Sequence, residues 1–162
     1  MVKNPLCGGM WSGGCQCGAI RYSITAEFGK AGICHCRMCQ KAFGNFGAAL
    51  VSVAANGLQW TRGSAAEFRS SVIVARGFCA DCGTPLYMRE DQDPDYEIAI
   101  GTLDEPNAIG PMTEQSGIES RVDWFEAMRD LPTQTTADTR SAGDLRRLRS
   151  LQHPDNDTDH WP

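Results

Sequence analysis

The sequence predicts a small, mainly β fold, antiparallel and stapled by metal, with only short helical turns. Three observations point there. Short apolar-alternating segments are broken by glycine, eight cysteines fall in close groups, and no helical stretch is long enough to build a layer. The 162 residues suffice for one domain with a sizeable core.

Taken in chain order, the first clear element is Ala19 to Ile24. Ile20, Tyr22 and Ile24 alternate with Arg21 and Ser23, as in a strand with one buried and one wet face. Further strands are expected over 47–53, 66–69, 72–78, 85–88 and 96–101, all short and most carrying β-branched or aromatic residues. Helical turns are expected at Arg37 to Phe43 and at Trp124 to Met128. Residues 1–131 therefore read as the folded domain. From Pro132 onward the chain is rich in Thr, Asp, Ser and Arg, and 132–162 reads as a polar C-terminal tail. Within it Ser141 is placed to cap a short helix carrying Leu145, Leu148 and Leu151; the alternative is a frayed tail. His153 and His160 lie in this tail and are expected at the surface.

Charge argues weakly against some partners. Fifteen basic residues against 20 acidic ones, a net charge of -5, leave no electrostatic footprint for nucleic acid or an anionic membrane. No run of about 20 apolar residues marks a membrane span, and the apolar stretches of Met1 to Gly18 are too short for a signal-peptide core. A cytoplasmic location is expected, and oligomeric state is left open.

The cysteines carry the chemistry. Cys7 stands apart and is expected as a free thiol; the others are Cys15 and Cys17, Cys34, Cys36 and Cys39, and Cys79 and Cys82. Such close spacing suits thiolates on a metal better than long-range disulfides, because C-x-C and C-x-x-C neighbours can aim two sulfurs at one ion about 2.3 Å away. Cys15, Cys17, Cys79 and Cys82 would close a tetrahedron that leaves no position for substrate, a structural zinc. Gly18 and Gly83 follow the two knuckles, where the chain must turn tightly. Cys34, Cys36 and Cys39 offer three thiolates and no obvious fourth, the arrangement of an open, catalytic zinc site. Closure by Cys7 or by His35, or a partly metal-free triplet, are the alternatives. His35 lies between two ligands and is expected to point away from the metal. No Ser-His-Asp set and no phosphate loop is present.

Four blocks together resemble a known family: Gly14-Cys15-Gln16-Cys17-Gly18-Ala19-Ile20-Arg21-Tyr22, Cys34-His35-Cys36-Arg37-Met38-Cys39-Gln40-Lys41, Arg76-Gly77-Phe78-Cys79-Ala80-Asp81-Cys82-Gly83-Thr84-Pro85-Leu86 and Gly101-Thr102-Leu103-Asp104. The pattern is similar to the glutathione-dependent formaldehyde-activating enzymes, the centromere protein V/GFA domain, over roughly Gly13 to Leu131. The resemblance implies a β-tent fold with one zinc on Cys15, Cys17, Cys79 and Cys82 and a second on Cys34, Cys36 and Cys39. It also implies a carbon-sulfur lyase activity, in which the thiol of glutathione, as co-substrate, adds to formaldehyde. The expectation is thus a zinc-dependent enzyme that forms or cleaves an adduct between glutathione or a similar thiol and a small aldehyde. A non-catalytic thiol carrier or zinc-held interaction module is the alternative. Two features depart from the family pattern. Gln115-Ser116 stands where members often carry a His-Ile pair, and the loop Gly44 to Gly47 is short.

Overall fold

Tyr22 and Ile24 place their apolar bulk fully inside the protein on β2 (Arg21–Ile24), which lies between β1 (Trp11–Gly14) and β5 (Leu58–Arg62) in a three-stranded antiparallel sheet. The computed structural model describes residues 9–160. A seven-stranded sheet faces the first. Its strands are β3 (Ala31–Cys34), β4 (Ala48–Val53), β6 (Ala66–Arg69), β7 (Val74–Phe78), β8 (Pro85–Glu90), β9 (Tyr96–Ala99) and β10 (Glu114–Ser116), in the order β10-β3-β4-β9-β8-β7-β6. Every pairing is antiparallel except β10 on β3, which is parallel and makes this a mixed sheet. Two α-helices, α1 (Arg37–Phe43) and α2 (Ala142–Arg147), complete a mainly β protein. No helix among the described residues is long and apolar enough to cross a membrane.

Val51, Val53, Leu86 and Ile98 of the large sheet meet Tyr22 and Ile24 of the small one in one core. An aromatic chain joins the sheets: Trp60 meets Tyr87 across them at 5.6 Å between ring centroids, backed by Tyr22 at 5.6 Å from Trp60 within the small sheet and by Tyr96 at 5.0 Å from Tyr87 within the large one. The Tyr22 hydroxyl reaches Thr102 Oγ1 at 2.7 Å, and Thr102 in turn donates to the Ala99 carbonyl, so the buried phenol is satisfied.

The expected strands all occur: 66–69 is matched, the strand expected at 85–88 runs on to Glu90, the others are trimmed at their ends, and α1 spans the residues expected to turn after the cysteine triplet. The segment expected as helical at 124–128 is a 3₁₀ turn, Glu126–Asp130. Four strands were not anticipated. β1 and β3 are rich in small residues, β10 has no apolar residue, and β5 alternates only over Leu58-Gln59-Trp60. The half-wet reading of the first strand is also corrected: all four residues of β2 are buried. Arg21 is 2% exposed because it forks onto Asp104, at 2.8 and 2.5 Å, and also meets Asp157 at 2.7 Å.

The tail contains a helix capped by Ser141, whose hydroxyl accepts the N–H of Asp144 at 3.1 Å, but it is shorter than expected: it carries Leu145, ends before Leu148 and does not reach Leu151. His153, expected at the surface, is buried. Its backbone N–H bonds to the Gln16 carbonyl at 2.8 Å, and its ring Nε2 meets Thr158 Oγ1 at 3.0 Å and faces Arg62. His160 is exposed. Cys7 falls outside the described residues.

Candidate metal centre

Two turns bring four sulfurs together from distant parts of the chain. Cys15 and Cys17 lie between β1 and β2, and Cys79 and Cys82 lie between β7 and β8. Gly18 and Gly83, at φ 76° and 77°, adopt the left-handed backbone that each turn requires. The Thr84 hydroxyl links the two turns, meeting the Gln16 N–H and Cys82 Sγ, each at 3.1 Å. The Ile20 N–H points at Cys15 Sγ from 3.2 Å. Hydrogen bonds of this kind stabilise negative charge on sulfur.

The donor set fits zinc. All four sulfurs lie within 4.8 Å of one another, with Cys15 to Cys17 at 3.5 Å and Cys17 to Cys79 at 3.8 Å. A tetrahedron with metal–sulfur bonds of about 2.3 Å has edges of about 3.8 Å. Burial pushes the Cys15, Cys17 and Cys79 thiols up. Burial acts on Cys82 in the same direction, but donors from Thr84 and from the Cys17 backbone outweigh it and bring this thiol down to about 6. The seven described cysteines are all free of disulfides, so the disulfide alternative has no support among them.

The second group is local in sequence. Cys34 ends β3, Cys36 caps α1 by accepting the Cys39 N–H at 3.4 Å, and Cys39 sits one turn inside the helix. Their three sulfurs lie within 4.8 Å of one another, and no fourth Cys, His, Asp or Glu among the described residues joins them. Gln40 fixes the helix to its surroundings by donating to the carbonyls of His35, at 2.6 Å, and Ser120, at 2.7 Å. Gly117 then lets the segment after β10 lie against the cap: its φ is 62°, and a Cβ there would stand 2.6 Å from the Cys36 nitrogen.

His35 is fully buried and lies outside the sulfur group, as its position between two cysteines implies. Its Nε2 contacts Gln115 Oε1 at 3.2 Å, its ring stands nearly perpendicular to that of Phe125 with centroids 4.7 Å apart, and Nδ1 finds no partner among the described residues. Gln115 therefore binds His35, and it also accepts from Arg121 at 3.2 Å. Phe46 packs against both Trp124 and Phe125, roofing this side of the site.

Electrostatics differ among the three sulfurs. Burial raises Cys34, but the Ser116 hydroxyl and the Cys36 backbone N–H prevail and lower it. Burial pushes Cys39 up to about 12 against the opposing influence of Arg76, whose Nη2 lies 3.3 Å from Cys39 Sγ. Sequence reasoning missed Arg76 as a neighbour of the site. The signal available was a single charge inside the apolar run from Val72 to Phe78.

Cys34 and Ser116 form one wall of a cleft of about 270 Å³, floored by Leu50, Ser52 and Met88. Glu90, Asp93, Asp95, Glu97 and Glu114 also line it, together with Lys30 and Arg89. Burial and the nearby Asp93, Glu114 and Asp95 charges raise the Glu97 carboxyl, with Ser52 opposing. The cleft is small for a drug-sized ligand and suits a compact one.

A family model described as glutathione-dependent formaldehyde-activating enzyme matches residues 10–116. Among solved structures, a crystal structure of a Rhodobacter sphaeroides protein superposes with a TM-score of 0.50 at 22% identity, covering 62% of this chain and 96% of that one. That likeness speaks to the fold. No curated protein matches the chain.

Proposed function

The chain belongs to the glutathione-dependent formaldehyde-activating enzyme family, and on that premise we propose that it is a zinc-dependent carbon-sulfur lyase-type enzyme joining a small thiol to a small aldehyde. The observation that carries this reading is the three-sulfur group of Cys34, Cys36 and Cys39 standing open beside a cleft. Cys15, Cys17, Cys79 and Cys82 would hold a second, purely structural zinc, since four sulfurs complete its tetrahedron. When bound at the three-sulfur group, zinc supplies a Lewis acid that favours the thiolate form of an entering thiol.

The reaction needs no oxidant. The thiol's sulfur forms a bond to the carbonyl carbon, the carbonyl π pair moves to oxygen, and the proton released by the thiol ends on that oxygen as a hydroxyl. The reverse direction cleaves the same carbon-sulfur bond. The chain's own groups assist at defined places. Ser116, beside Cys34, offers a hydroxyl at the cleft wall, while Leu50 and Met88 give its floor apolar surface beside Ser52. Glutathione and formaldehyde are the pair the family description names, and a cytoplasmic location fits a thiol chemistry that needs reduced cysteines.

Zinc per chain on protein purified without chelators tests the reading, together with thiol-dependent aldehyde consumption. Two zincs and a rate above the uncatalysed one are expected, with Cys36→Ser abolishing the rate. Stoichiometric glutathione binding at the uncatalysed rate would make the protein a thiol carrier instead. One zinc that glutathione leaves untouched would remove the open site from the account.

A further inference from the structure

Arg76 is a cation in an unusual place. It lies on β7, 3% exposed, and no carboxylate among the described residues pairs with it. Its Nε donates to Ser70 Oγ at 3.0 Å and its Nη2 to Cys39 Sγ at 3.3 Å, while the buried Nη1 meets no partner among the described residues. Buried charges are as a rule paired and fully hydrogen-bonded, so a guanidinium nitrogen without an acceptor marks a position for an anion.

The surroundings say where that anion comes from. Arg76 shares its sheet face with Phe78, two residues on, and with Phe68, directly across the ladder. Ala42 and Phe43 of α1 complete a groove of about 200 Å³ over these residues. Arg37 and Lys41 of the same helix edge an adjoining groove. On the other flank, Met88 stands between Arg76 and Glu97 in the strand register, which separates Arg76 from the acidic side of the cleft. A ligand whose sulfur sits by Cys39 thus has a basic, partly apolar flank on the Arg76 side and, opposite, a flank where five carboxylates outnumber Lys30 and Arg89.

We propose that Arg76 determines which thiol the three-sulfur group accepts, by pairing its free Nη1 with a carboxylate carried on the thiol's own chain. The substrate class is therefore a carboxylate-bearing thiol rather than a neutral or cationic one. A planar guanidinium suits this role because it can hold Cys39 with one nitrogen and a carboxylate oxygen with another. The inference rests on the reading of the three-sulfur group as the thiol site.

Calorimetric titration of the zinc-loaded full chain with 3-mercaptopropionate and with its near-isosteric neutral amide tests it, with cysteamine as the cationic comparison. The acid is expected to bind about tenfold or more tighter than the amide, the scale of one charge-assisted hydrogen bond. Arg76→Gln should erase that ratio while retaining binding, and Arg76→Lys should restore part of it. Should Arg76→Gln fail to fold, Ser70→Ala, which frees Arg76 without removing its charge, decides instead and should narrow the ratio, whereas Arg37→Gln and Lys41→Gln should leave it unchanged. A ratio lost with either of these and kept in Ser70→Ala would overturn the role of Arg76. Equal affinities for acid and amide would overturn the role of Arg76 while leaving the thiol site standing. Tighter binding of cysteamine would overturn it in favour of the acidic flank. No binding of any thiol would overturn both the role and the site.

Discussion

Arg21 and Asp104 form an ion pair whose side chains are almost wholly removed from water. Burial alone would raise the Asp104 carboxyl, but hydrogen bonds from Arg21 and Ser12 outweigh it and hold it below the usual carboxylate range. A carboxyl lowered in the folded state adds stability above its unfolded pKa and loses it as pH falls through the folded value. Asp104→Asn is therefore expected to cost about 3 kcal/mol at neutral pH, by leaving a buried guanidinium half-paired. The gap between variant and wild type should shrink below about pH 4. Denaturant midpoints across pH measure both; a gap that is independent of pH would refute the assignment. The cysteines allow a second residue-scale expectation. Cys82→Ser should give unfolded or insoluble protein, because its sulfur belongs to the staple between the sheets, whereas Cys36→Ser should stay folded. Equal collapse of the two in circular dichroism would make both sulfur groups structural. These cysteine sets were legible because ligand spacing is a local property. The fate of Arg21 was not, since period-two alternation cannot separate an arginine in water from one whose partner lies 83 positions away.

At the scale of elements, the strands that could be read were those with β-branched or aromatic residues at alternate positions, such as β4 and β9. β10 could not be read that way: its Glu114, Gln115 and Ser116 are exposed, and tertiary pairing with β3 alone makes them a strand. That pairing brings Gln115 to His35 and Gly117 against Cys36. Gly117→Ala is expected to push the segment off the helix cap and lower metal occupancy of the three-sulfur group, leaving the four-sulfur group filled. Elemental analysis showing both occupancies unchanged would sink this. The tail illustrates the opposite limit, where composition pointed to solvent and specific partners decided otherwise. His153, Asp157 and Thr158 engage Gln16, Arg21 and Arg62, and the last of these also reaches the Gly18 carbonyl at 3.0 Å. Deleting residues 152–162 should lower the melting temperature by several degrees, the effect of about 1–2 kcal/mol in a domain this size. An unchanged melting temperature would mean the tail contributes nothing to stability.

For the molecule as a whole, the mainly β class followed from the short, glycine-broken segments, but the division into two sheets did not. It depends on contacts between Tyr22, Trp60 and Tyr87 that no local pattern announces. A metal held by the four-sulfur group would reinforce the same junction, since one of its knuckles joins β1 to β2 in the small sheet and the other joins β7 to β8 in the large one. If zinc occupies it, a strong chelator should lower the melting temperature of wild type and of Cys36→Ser alike. A chelator without effect on Cys36→Ser would deny the staple its metal. The two sulfur groups also differ in when a growing chain can complete them. Cys34, Cys36 and Cys39 emerge together, and their short loops close at little entropic cost. The other set waits for Cys82, after more than half of the chain has been made. If zinc fills both groups, a nascent chain in a zinc-poor cell can complete the Cys34, Cys36 and Cys39 group first, and the join between its sheets has to wait for the second ion.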